Sequence, residues 1–223
     1  MKGELAADLA RRRAEHLYRS RRVTDSPARP EVVVDGRSLL TFCSNDYLGL
    51  AADPRLAEAL SAGARRYGVG SGAAHLVSGH TRAHHALEAE LAGFLGRERA
   101  LLFSTGYMAN LGTLSALLGP GDAVFEDRLN HASLLDGALL SRARLPRYHH
   151  LDPAALARQS ADTAAPRRVV SSDGVFSMHG HLAPLQALAS TAEAPRACLI
   201  VDAPPALARP APSGLRIPAR AGH

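Results

Sequence analysis

From Arg99 onward, short apolar runs alternate with stretches whose apolar residues return every three or four positions. "RALLFS" (99–104), "DAVFED" (122–127), "RRVVSS" (167–172) and "ACLIV" (197–201) read as buried strands, with another short strand near Leu145. The stretches between them predict helices over Gly106–Leu118, Ala132–Arg142 and Leu182–Ala192, and one that begins after Pro153. Strands that alternate with helices imply βαβ units, hence an α/β fold with a mostly parallel sheet and helices on both faces.

Before residue 99 the pattern is different. Leu5, Leu9 and Leu17 stand among charges and predict a surface helix from Glu4 to about Arg22. In "EVVVDGRSLLTF" (31–42), two β-rich runs flank Asp35-Gly36, a strong hairpin signal. Asp53 caps a helix that has Pro54 at its first position and runs to about Arg66. A Gly-rich link (68–74) leads to a helix from Arg82 to Leu95 that stops at Gly96. These signals divide the chain into an N-terminal helix and hairpin segment (1–52), an α/β body (53–202) and a Pro/Ala/Arg-rich tail without periodicity (203–223).

Composition narrows the function classes. Hydrophobic residues make up 46% and charged residues 21%, as in ordinary globular proteins. No apolar run reaches the ~20 residues of a membrane helix, and the N-terminus is charged rather than signal-like. A net charge of +5 suggests nucleic acid, yet Arg209, Arg216 and Arg220 of the tail carry three of those charges, and the rest is nearly balanced. Aromatics are only 4%, too few to stack bases, so neither nucleic acid nor a membrane is expected as partner. Cys43 and Cys198 lie in apolar runs and read as buried thiols of a reducing, cytoplasmic compartment. Among 26 basic side chains the single lysine is Lys2.

In parallel sheets ligands sit beyond the carboxyl ends of the strands, so the residues after each strand are the candidates for chemistry. "STGYMAN" (104–110) opens a helix, and the free N–H groups of Gly106 and Tyr107 can hold a phosphate. His131 begins the next helix and offers a flat imidazole for stacking or proton transfer. Ser177 brings a hydroxyl on a loop, and Asp202 ends a buried strand, where a carboxylate needs a cation or a donor. A planar, phosphorylated cofactor with a cationic ring suits that set, and pyridoxal 5'-phosphate has this form.

The stretches "FCSNDYLGL" (42–50), "GSGAAHLVSGHTRAHHALEAELA" (70–92), "LLFSTGYMANLG" (101–112), "LNHASLLDGALLS" (129–141), "DGVFSM" with "LAPL" (173–178, 182–185) and "LIVD" (199–202) stand in one order. In them the sequence resembles the α-oxoamine synthase family, pyridoxal-phosphate enzymes of the type I (aminotransferase class II) fold. The resemblance implies the large domain of an aspartate aminotransferase-like fold, incomplete at the C-terminus. It implies a homodimer that condenses an acyl-CoA or acyl-carrier thioester with a small amino acid, L-alanine foremost, and releases CO₂. By position, Gly106 and Tyr107 would hold the cofactor phosphate, His131 would stack on the ring and orient the substrate, and Ser177 would bond the cofactor. Asp202 would pair with the ring nitrogen, and Arg19 would meet the acyl substrate.

The sequence also departs from the family. After Asp202 the expected Asp-Ala-His-Gly is replaced by Ala203, Pro204, Pro205 and Ala206, and the Schiff-base lysine segment is absent. Lys2 lies at the N-terminus and is not expected to substitute. The tail reads as an out-of-frame or otherwise aberrant, disordered end, and the chain as an inactive form of the enzyme with an unpaired sheet edge. Two other readings stay open: a non-catalytic remnant or interaction protein, and an unrelated phosphate-binding α/β module. His179 and His181 replace the family's Asp residues and read as a drifted loop rather than a metal site. The pairs His84-His85 and His149-His150 read as surface positions.

Overall fold

A computed structural model describes residues 2–193 and 196–203. Of the tail expected over 203–223, Ala203 is described and buried, and the rest lies outside the described residues. The chain divides into two units, which meet between Arg66 and Tyr67.

The first unit holds helix α1 (Lys2–Ala14), the hairpin β1 (Glu31–Val34) and β2 (Arg37–Leu40), and helix α2 (Pro54–Tyr67), whose last residue crosses the division. The hairpin turns at Asp35 (φ 49°) and Gly36 (φ 73°), the left-handed pair that a two-residue turn requires. Asp53 caps α2 as expected, with Oδ1 accepting from the Arg55 N–H at 2.8 Å. Helix α1 stops eight residues before Arg22. His16 turns to φ 57°, and the Leu17 and Tyr18 N–H groups fold back on the Arg12 carbonyl. With Leu17 and Tyr18 exposed, nothing apolar rewards further turns.

The second unit is a four-stranded, all-parallel sheet in the order β4 (Arg147–Tyr148), β3 (Ala123–Asp127), β5 (Arg168–Asp173), β6 (Cys198–Asp202). Its helices are α3 (Arg82–Leu95), α4 (Gly106–Leu117), α5 (Ala132–Ser141), α6 (Pro153–Ala161) and α7 (Leu185–Glu193). Successive strand residues face opposite ways, and two cores follow. Ala123, Phe125 and Val170 pack with Leu156 and Leu188 of α6 and α7. Val124 and Val169 pack with Leu114, Leu134 and Ala138 of α4 and α5. The sheet is therefore covered on both faces, as the alternation of strands and helices requires. Helix α7 starts at Leu185 rather than Leu182, directly after Pro184.

Two expectations fail. "RALLFS" (99–104) forms no strand: it has no sheet neighbour among the described residues, and the Leu102 N–H goes to Glu88 Oε1 at 3.1 Å instead. An apolar, β-prone run becomes a strand only when a ladder accepts it. Both cysteines are exposed, not buried. Cys198 starts β6, where burial increases only further along the strand.

A π-helical turn, His75–Gly79, precedes α3. A Cβ on Gly79 would stand 1.9 Å from the Ala73 carbonyl oxygen, so only glycine closes the turn. Gly79→Ala should therefore force the backbone open and lower stability by about 1–3 kcal/mol in urea titration. An unchanged midpoint would refute this account of the turn.

Candidate functional site

The site lies at the carboxyl ends of β3, β5 and β6, next to the N-termini of α4 and α5. Helix α4 begins at Gly106. Thr105 caps it, and its Oγ1 accepts the Met108 N–H at 3.1 Å while its carbonyl takes the Ala109 N–H. The Gly106 and Tyr107 N–H groups are left with no acceptor among the described residues, as a phosphate cradle needs. The Tyr107 hydroxyl donates to Asp136 of α5, which fixes the ring beside the cradle. The ring lies edge-on to His131, with centroids 6.1 Å apart.

His131 is the N-cap of α5, and its Nδ1 accepts from the Ser133 N–H at 3.2 Å and lies 2.6 Å from Ser133 Oγ. Its own backbone N–H donates to Asp173 Oδ1 at 3.1 Å. Asn130, one residue earlier, spans the same gap: its amide donates to the Ser171 carbonyl and its oxygen accepts the Asp173 N–H. The tip of β5 therefore holds the His131 backbone, while Ser133 of α5 holds the exposed imidazole through Nδ1.

Asp202 ends β6 in register with Asp173 of β5. Its Oδ2 accepts from Asn110 Nδ2 at 2.7 Å, and the same amide reaches Ser133 Oγ at 2.8 Å. Asp202, Asn110, Ser133 and His131 thus form one continuous polar chain across three elements. Burial raises the Asp173 carboxyl above its usual range, and the neighbouring Asp202 and Asp127 charges push it the same way. Two carboxylates at adjacent strand tips favour a cation between or above them.

The structure joins Gly106, Tyr107, His131 and Asp202, four of the residues singled out from sequence. Ser177 sits on an exposed turn beyond the Val175–Leu182 bridge, and no described residue hydrogen-bonds its hydroxyl. Arg19 belongs to the first unit, in a shallow recess with Arg12, His16 and Tyr18. Asn110, Ser133, Asp136 and Asp173 were not singled out. Their position inside "GYMAN", "HASLLD" and "SSD" was visible, but their pairing was not.

His150 is no surface position. Its Nδ1 lies 2.9 Å from Oδ1 of buried Asp127, its Nε2 lies 2.9 Å from His181 Nδ1, and its ring packs edge-on to Phe176. His179 stacks on His181, so the 179–181 turn is tied to the sheet end rather than merely drifted. His84 likewise turns inward, with Nδ1 2.9 Å from Thr81 Oγ1 at the start of α3.

A doubly covered parallel sheet with a phosphate cradle, a stacking ring and a strand-end acid is the large-domain plan of a type I pyridoxal-phosphate transferase. The chain belongs to the aminotransferase class I and II family, whose model matches residues 37–203. It is 61% identical over 202 residues to 8-amino-7-oxononanoate synthase of Pseudomonas paraeruginosa, covering 91% of this chain and 50% of that protein. The synthase of Thioalkalivibrio sulfidiphilus is 60% identical over 200 residues. Among solved structures, serine palmitoyltransferase of S. paucimobilis with bound PLP-myriocin matches with a TM-score of 0.82 and 29% identity, over 89% of this chain and 50% of that one. The 8-amino-7-oxononanoate synthase of Francisella tularensis matches at 0.59 and 34%, over 72% and 43%. The chain thus spans about half the length of the curated relatives it matches.

Proposed function

We propose that this chain binds pyridoxal 5'-phosphate and serves the 8-amino-7-oxononanoate synthase reaction, in which a pimeloyl thioester and L-alanine are joined with loss of CO₂. The observation that carries the reading is the polar chain Asp202–Asn110–Ser133–His131 next to the unfilled donors of Gly106 and Tyr107. The donor set fits the cofactor: two N–H groups at a helix N-terminus for a phosphate, an imidazole face for the ring, and two strand-tip carboxylates for a protonated ring nitrogen. When bound, the cofactor supplies an electron sink for the carbanion formed from the amino acid.

The protein's own residues do the positioning. Asn110 fixes which Asp202 oxygen remains free, because Oδ2 already accepts its amide. Asp173 and Ser133 hold the His131 backbone and Nδ1, so the other ring nitrogen faces outward to orient a substrate. Turnover also needs an amine, and the only lysine is Lys2 in α1 of the first unit. On this reading Lys2 does not supply it, and the dimer and acyl substrate follow from the family resemblance. The exposed apolar side chains Phe94, Leu101 and Met178 of the second unit favour such a companion surface.

Equilibrium dialysis of the full chain against pyridoxal phosphate tests the binding. Saturable binding is expected, with Asp202→Ala weakening it about tenfold or more (~1.4 kcal/mol per tenfold). Borohydride should leave no attached cofactor. Absence of saturable binding, or equal binding by Asp202→Ala and His131→Ala, overturns the cofactor reading. A borohydride-trapped adduct that disappears in Lys2→Arg overturns the exclusion of Lys2.

A further inference from the structure

Away from the strand ends, four imidazoles crowd the start of α3. The turn His75–Gly79 delivers His80 as its C-terminal cap, and α3 begins two residues later. His85 and Glu88 stand three apart on α3 and therefore share a face. One ligand atom from each of His80, His85 and Glu88 lies within 4.8 Å of the other two. His80 Nε2 is 4.0 Å from Glu88 Oε2.

We propose that His80, His85 and Glu88 form a binding site for a borderline divalent transition ion, zinc foremost, with water in the remaining position. Two imidazoles and one carboxylate are a ligand set zinc accepts, whereas magnesium and calcium prefer oxygen alone. Zinc bonds are about 2.0–2.2 Å long, so the three atoms must draw together by roughly an ångström. His80 and His85 are exposed and free to rotate by that amount.

The surroundings already orient the ligands. His75 Nδ1 lies 3.0 Å from His80 Nδ1. With His80 Nδ1–H as the donor to His75, the His80 Nε2 lone pair is left toward Glu88, the support that metal-bound histidines ordinarily receive. Glu88 Oε1 accepts the Leu102 N–H at 3.1 Å, which leaves Oε2 for the ion. Of the adjacent histidines, His84 is engaged with Thr81 and only His85 faces the site. The second histidine group, His150 with His179 and His181, differs because His150 uses both ring nitrogens on Asp127 and His181.

Zinc titration of the chelator-treated full chain by calorimetry tests the site, with cobalt(II) absorption as a second readout. One equivalent of zinc should bind, and cobalt should give the intense visible bands of a low-coordinate site. His80→Ala and His85→Ala, exposed positions that do not threaten the fold, should each weaken zinc at least about tenfold, and Glu88→Gln should do likewise. His75→Ala should weaken it about tenfold through lost orientation. His179→Ala/His181→Ala should bind as the parent does. The proposal is overturned if the parent takes up no zinc, if His80→Ala and His85→Ala bind normally, or if the His179→Ala/His181→Ala protein is the one that loses the ion.

Discussion

Glu126→Gln should stabilise the protein by about 3 kcal/mol at pH 8 and have almost no effect near pH 4. Glu126 is fully buried in β3, and its Oε1 accepts the Ser171 hydroxyl at 2.9 Å while Oε2 has no partner among the described residues. Burial raises its pKa to about 7, against the weaker opposing pull of Ser171 and Arg147. Between the ordinary glutamate value near 4.5 and this value, the folded chain holds a proton that the unfolded chain has lost. Stability therefore falls as pH rises through that window, and the full penalty is present above it. Glutamine keeps the acceptor for Ser171 and cannot ionise. The difference between parent and variant, measured by urea unfolding from pH 4 to 8, should grow through the window and then level off. A difference independent of pH would mean that Glu126 does not titrate with folding.

Gly137→Val should cost about 3 kcal/mol and also remove cofactor binding. Helices α4 and α5 pack side by side, and Gly137 is buried where they cross. Even a Cβ there would lie 3.0 Å from the Asn110 carbonyl oxygen and 3.0 Å from Leu114 Cδ1. Valine adds two further methyl groups, so the helices must separate. Asn110 and Ser133 stand on opposite sides of that seam, and their hydrogen bond carries the link from Asp202 to His131. Leu114→Ala makes room for the new side chain and should recover part of the stability. If Gly137→Val unfolds at the parent's midpoint, the seam is softer than its contacts indicate.

Local chemistry made most of the fold readable. The Asp35-Gly36 turn, Pro54 after Asp53, and Gly96 at φ 61° after α3 each need only their own backbone to be understood. The run at 99–104 has the same apolar, β-prone character as β3 and β6, and composition alone does not say whether a neighbour exists. The site divides in the same way. His131 and Asp202 follow from their places after β3 and at the end of β6. Gly106 and Tyr107 follow from opening a helix, although the strand expected before them is absent. Asn110, by contrast, meets Asp202 across 92 residues of sequence. His150 shows the converse: one of two identical neighbours turned inward, against buried Asp127 and Phe176.

The Asn110–Asp202 bond also sets a timetable. The strands pair in parallel, so each must wait for the helix that carries the chain back, and distant pairings form slowly. During synthesis the chain emerges from its N-terminus, so Gly106 and His131 leave the ribosome before Asp202 does. β6 adds to the outer side of β5 and brings Asp202 and the Gly174–Asp202 backbone bond at 2.7 Å with it. On the proposed cofactor reading, a chain that has not yet docked β6 lacks the acid for the ring, so capture of the whole ligand follows the docking of β6.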